Sequence, residues 1–156
     1  LNTKFCIGFL LFSCSAIAAL PEIKSQQALS VDSDSICRYE STSRGVLDDK
    51  KLSSCLANHV KWIGEVVRLD SENREDFYTK ASYPFCYERS TRRGTTNAGL
   101  MYICLESEVD AHKDVMYYLD KLGKEKIVPI VRSEIAKYGS WGMVRFKIKN
   151  DLDPPP

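Results

Sequence analysis

The chain is poor in histidine: two in 156 residues, His59 and His112. It has no HExxH pair, so the usual helical zinc-protease ligand set is excluded. No glycine-rich loop is spaced to cradle a phosphate, and no CxxC pair is present for dithiol redox chemistry. No short loop of closely alternating oxygen ligands calls for calcium. Neither histidine is placed beside a Ser or Cys nucleophile with a third orienting group, as a catalytic triad requires. An excess of one charge is also lacking, with 22 basic against 21 acidic residues. So balanced a chain has no global field to steer it to nucleic acid or to an anionic membrane. After the first nineteen residues no apolar run is long enough to span a bilayer. The expectation is a chain with no cofactor, no catalytic constellation and no metal site.

Apolar character is concentrated at the start. LNTKFCIGFLLFSCSAIAA has one positive charge (Lys4), an apolar run from Phe5 to Phe12, and a small-x-small site at Ala16-Ile17-Ala18. Residues 1–19 therefore read as a secretory signal peptide, which sends the rest to the periplasm or the medium. A competing reading takes Leu11-Phe12-Ser13-Cys14 as a lipoprotein processing box with Cys14 as the lipid anchor. The bulky Phe12 and the apolar SAIAAL that follows favour free release. Without Lys4 the remainder carries 21 basic and 21 acidic residues, and without Cys6 and Cys14 it keeps four of six cysteines. An even number of cysteines in an exported chain points to disulfides. Zinc held by four such widely spaced cysteines is the lesser reading in that compartment.

The sequence also repeats itself. CRYESTSRG at Cys37 and CYERSTRRG at Cys86 begin an ungapped match that runs to Leu56 and Leu105. Ser41/Ser90, Thr42/Thr91, Arg44/Arg93, Gly45/Gly94 and both cysteine pairs coincide. A period near 50 residues marks a duplicated supersecondary unit. Four cysteines allow three connectivities. A duplicated unit most simply carries its own closed bridge, which gives Cys37–Cys55 and Cys86–Cys104.

Apolar residues at Leu52, Cys55, Leu56, Val60, Ile63, Val66 and Val67 step by three and four, the mark of one helix face. Asp48 or Asp49 caps that helix, which runs to about Leu69. Met101, Cys104, Leu105, Val109, His112, Val115, Met116 and Leu119 repeat the pattern behind Asn97. Shorter helices precede each: one entered at Ser33 or Ser35 and stopped at Gly45, the other entered at Pro84 and stopped at Gly94. A third, fainter unit is bracketed by Pro129 and Gly139 and continues through Tyr138–Asp153, without cysteines. No stretch alternates long enough for a strand. The expected fold is all-α: a small helical bundle or short solenoid of two to three helix-loop-helix repeats, the first two each closed by a disulfide. Residues 20–33 form a polar leader, 34–152 a single domain (units about 34–70, 82–120 and 127–152), and 153–156 a tail.

Cys37/Cys55, Cys86/Cys104 and the YGxWxMV stretch at Tyr138–Val144 carry a resemblance. The chain resembles small exported bacterial proteins of unknown function built from repeated paired-Cys helical hairpins. The resemblance covers most of residues 20–156 and implies no activity.

For binding, the candidates are Arg89, Arg92 and Arg93, crowded at the end of the second short helix, with Tyr87 beside them. Arg38 and Arg44 stand at the corresponding end of the first. Cations near a helix C-terminus are favoured by its dipole, which accounts for part of the cluster. The remainder suits an acidic partner, and tyrosine is common at protein contacts. Glu106, Asp110 and Asp114 recur every four residues and read as a solvated helix side. The function expected is that of a non-catalytic exported binding or inhibitor-type protein of the bacterial envelope, with a protein partner. Two alternatives remain: an envelope hydrolase using His112 with Glu108 or Ser107, and a structural homo-oligomer.

Overall fold

A computed structural model describes residues 20–152. The expected signal peptide over residues 1–19, the alternative lipid anchor at Cys14 and the expected 153–156 tail lie outside them. Six α-helices dominate: α1 Gln26–Glu40, α2 Asp49–Glu72, α3 Tyr83–Ser90, α4 Ala98–Leu122, α5 Lys124–Tyr138 and α6 Trp141–Leu152. The architecture is all-α. The bridges are Cys37–Cys55 and Cys86–Cys104, each closing 18 residues. Among the described residues no helix is long and apolar enough to cross a membrane.

The long helices begin where their caps say. The Asp48 side chain accepts the Lys51 N–H, and the Asn97 side chain accepts the Leu100 N–H. Each satisfies one orphan donor of a first turn. Val60, assigned to the apolar face of α2, is instead exposed.

The repeated S-T-x-R-G motif is a hairpin, not a helix stop. Strands β1 (Thr42–Ser43) and β2 (Val46–Leu47) pair antiparallel around Arg44-Gly45. Strands β3 (Thr91–Arg92) and β4 (Thr95–Thr96) do the same around Arg93-Gly94. Both turn residues have positive φ: 51° and 80° in the first, 52° and 82° in the second. Two-residue hairpins with that geometry match the twist of their strands. Glycine supplies the second position without strain. Arginine at the first costs about 1 kcal/mol relative to an ordinary conformation, in both copies. Each hairpin is closed at its base by one further bond, Asp48 N–H to Ser41 O and Asn97 N–H to Ser90 O, both 2.9 Å.

Three further expectations are corrected. The polar leader is not separate: α1 starts at Gln26, capped by Ser25 rather than by Ser33 or Ser35, and buries Leu29 and Ser33. Pro84 stands in the first turn of α3, as expected, but Ser82 makes no side-chain cap and the helical backbone does not begin there. Asp76–Ser90 is continuous, and a π turn at Tyr78–Ser82 precedes Pro84. There the Tyr83 N–H reaches five residues back to Tyr78 O, a register in which a proline's missing N–H is more easily absorbed. Pro129 likewise lies inside α5, which starts at Lys124, while Gly139 ends it in the left-handed region as expected. The third pair of helices is joined through Gly139-Ser140, without a hairpin.

Two cores result, and α4 belongs to both. Its first half (Met101, Leu105, Val109) packs with Leu29, Ile63, Val66, Tyr78 and Tyr83. Its second half (Ala111, Val115, Tyr118) packs with Ile127, Trp141, Val144 and Ile148. The units are also pinned by polar contacts. Lys24 Nζ pairs with Asp32 Oδ2 at 2.6 Å and donates to Gly94 O at 3.1 Å, and Asp32 Oδ2 accepts the Thr96 N–H at 3.0 Å. Lys24 N–H donates to the Tyr83 hydroxyl at 2.7 Å. Burial pushes that hydroxyl's pKa up to about 12. The segment before α1 is thus tied to the second hairpin.

Candidate functional site: an arginine-rimmed groove and the junction beside it

The two hairpins and the start of α4 shape one side of the molecule. The C-terminal half of α1 and the second hairpin border a groove of about 790 Å³. Arg89, Arg92 and Arg93 line it together with Tyr39, Glu40 and Leu100. α3 supplies Arg89 in its last turn, and the hairpin supplies Arg92 and Arg93. Only Arg89 therefore stands where a helix dipole favours a cation. Its guanidinium lies 4.4 Å over the Phe85 ring. Among the described residues none of the three arginines is paired with a carboxylate. Arg38, by contrast, pairs with Asp34 at 2.8 Å, and Arg44 turns the first hairpin.

Tyr87 does not join them. It stacks on Tyr83, with Lys24 Nζ 5.8 Å from its ring centre, and does not line the groove. It sits two residues from Arg89 in sequence, but two residues along a helix is roughly half a turn, which sends it to the other side.

Leu100 and Ile103, which sequence reasoning passed over, form an apolar ridge on α4. They are 55% and 60% exposed. Leu100 also lines the arginine groove, and both line a second cavity of about 550 Å³ with His59, Trp62, Cys55 and Glu40. This cavity marks the junction of the first and second units. Gly99 makes the junction possible: a Cβ there would meet the Trp62 ring at 2.8 Å.

His59 is buried at this junction. Its Nδ1 lies 2.8 Å from Ser33 Oγ and its ring meets Trp62 edge-on. Burial lowers its pKa, opposed by the Glu40 charge. The signal for this contact was in the sequence. Ser33 is one turn before Cys37 and His59 one turn after Cys55, so on antiparallel helices joined by that bridge they form the next rung. Leu29 and Ile63, one turn further, meet in the core.

The second unit follows the same ladder with a shift. The π turn adds one residue, so Phe77 rather than Tyr78 stacks on His112, ring centres 3.6 Å apart and planes 3° from parallel. Trp141 meets His112 edge-on at 4.6 Å. Burial lowers the pKa of His112. Tyr78 instead donates its hydroxyl to Asp70. Burial raises the pKa of that carboxyl and of the phenol.

Glu108 occupies the repeat position of His59, and it is engaged. Its oxygens accept from Ser140 Oγ at 2.7 Å, Trp141 N–H at 2.6 Å and Gly142 N–H at 3.2 Å. It caps α6 from another helix. The contacts of His112 are aromatic rings, and Ser107 is exposed. Comparison with protein-family models, with curated proteins and with solved structures finds no match.

Proposed function

We propose that this is an exported, non-catalytic binding protein of the bacterial envelope that takes an acidic protein partner on the arginine-rimmed groove. One observation carries the reading: three arginines without carboxylate partners border an exposed apolar ridge. Apolar anchors ringed by arginine are the composition of protein-contact patches. Two features support it. Arginine is kept at the strained turn position in both hairpins, where asparagine or glycine is the local preference. Two disulfides fasten the hairpins to their helices, which holds the groove rigid and lowers the ordering cost of binding. The bridges also fit an oxidising compartment outside the cytoplasm.

The test is capture from envelope extract with the wild-type chain and with Arg92→Glu/Arg93→Glu. A specific acidic protein retained by the first, lost with the second, and eluted by salt supports the reading. Equal retention by both, or no partner at micromolar concentration, removes it. Hydrolysis of envelope polymers that is lost in His112→Ala would favour the hydrolase alternative instead.

A further inference from the structure

The first bridge has a neighbour that the second lacks. Cys37 Sγ, Cys55 Sγ and a ring nitrogen of His59 lie within 4.8 Å of one another. Glu40 Oε2 is 3.9 Å from Cys55 Sγ. Ser33 holds the imidazole by its Nδ1, as outer partners do for metal-bound histidines. The junction cavity, lined by Glu40, Cys55 and His59, gives an entry path. While the bridge is closed each sulfur is bonded to the other, and neither is a thiolate. At the matching place in the second unit stands Glu108, whose oxygens are engaged at the start of α6.

We propose that reducing the Cys37–Cys55 bridge creates a zinc(II) site, with the two thiolates and His59 as ligands and Glu40 or water completing four-coordination. The step is a thiol–disulfide exchange. A dithiol reductant attacks one sulfur of the bridge and resolves to its own disulfide, so two electrons pass to the protein and two cysteine thiols form. Zinc then displaces one proton from each thiol. Two sulfurs and an imidazole within this radius are a donor set that zinc takes readily. The site would make the first unit a sensor of reduction, independent of whether the arginine groove binds a partner.

The test uses the full chain, reduced anaerobically with a phosphine and titrated with cobalt(II) and then zinc(II). The expected result is one equivalent of cobalt with a sulfur-to-metal charge-transfer band, bleached by zinc. Alkylation followed by peptide mapping should find Cys37 and Cys55 protected by zinc, and Cys86 and Cys104 modified. Ser33→Ala should weaken binding by about tenfold, and His59→Ala by more. Cys86→Ala/Cys104→Ala should bind as wild type, and Cys37→Ala/Cys55→Ala should not bind. No charge-transfer band, equal protection of Cys86 and Cys104, or undiminished binding by His59→Ala overturns the proposal. That last result would mean an unfolded chain collecting metal through its thiols alone.

Discussion

The Glu108 carboxylate accepts the backbone N–H of Trp141 at 2.6 Å, across 33 residues of sequence. It also takes the Ser140 hydroxyl and the Gly142 N–H. One buried side chain therefore does for α6 what Asp48 and Asn97 do for their own helices. Glu108→Ala leaves three donors short of an acceptor in a buried place. Each unsatisfied buried group costs about 1–3 kcal/mol; with relaxation and water entry a total loss of about 3 kcal/mol is expected. Glu108→Gln, which keeps one acceptor, should lose less. Denaturant unfolding of both variants checks the order; equal stability to wild type would show that the α6 cap contributes nothing.

The two bridges close loops of equal length, 18 residues each. Loop-closure entropy then assigns both the same effect, about 3 kcal/mol. Paired Cys→Ala variants of either bridge should lower the guanidinium midpoint to a similar degree. A much larger effect at Cys86–Cys104 would mean that its packing in the first core matters more than chain entropy.

Two glycines in long helices are predicted to respond with opposite signs. At Gly64, in the interior of α2, an added Cβ meets nothing within 4 Å. Gly64→Ala should stabilise by about 0.5–1 kcal/mol through helix propensity. At Gly99 the same methyl strikes Trp62. Gly99→Ala should destabilise by about 1–3 kcal/mol through overpacking and alter the Trp62 fluorescence. A stabilised Gly99→Ala protein would show that the α2–α4 junction has slack.

Stability should fall as pH drops below about 6.5. Burial holds the pKa of both His59 and His112 below the ordinary value of 6.5. A depressed histidine is neutral in the fold while the unfolded chain takes up a proton. Its contribution is therefore complete above 6.5 and lost as pH falls towards the folded value. Asp70 acts in the opposite sense: its pKa is raised from 3.8 by burial, so acidification relieves a penalty there. Urea midpoints measured from pH 7 downwards should decline first in the histidine range. A His59→Gln/His112→Gln protein should lack that decline; if it keeps it, the imidazoles are not its source.

What the sequence disclosed depended on how local the cause was. The caps Asp48 and Asn97 and the three-four spacing act within a turn or two, so α2 and α4 were legible. The bridges were legible because duplication supplied a constraint that spacing alone does not. The hairpins were missed because two-residue strands leave no alternation to read; Gly45 and Gly94 signalled positive φ, but arginine before them did not. The start of α1 was missed because Gln26–Ser35 is mostly polar; only Leu29 and Ser33 are buried there, Ser33 against His59 of α2 and Leu29 in the shared core with Ile63, Val66, Tyr78 and Tyr83. Pro84 and Pro129 read as openings because proline disfavours helix interiors, a rule that the π turn relaxes at the first. The arginines of the site were visible as a cluster. The Leu100–Ile103 ridge was not, since exposed apolar residues on a helix look like core until neighbouring elements are placed.

The π turn between Tyr78 and Ser82 has a genetic consequence. It behaves as a codon inserted into a finished helix and absorbed as a bulge instead of being passed along the chain. Deleting the solvent-facing Lys80 would let the segment wind as an ordinary α-helix and still bring Phe77 over His112. The second copy would then match the first rung for rung.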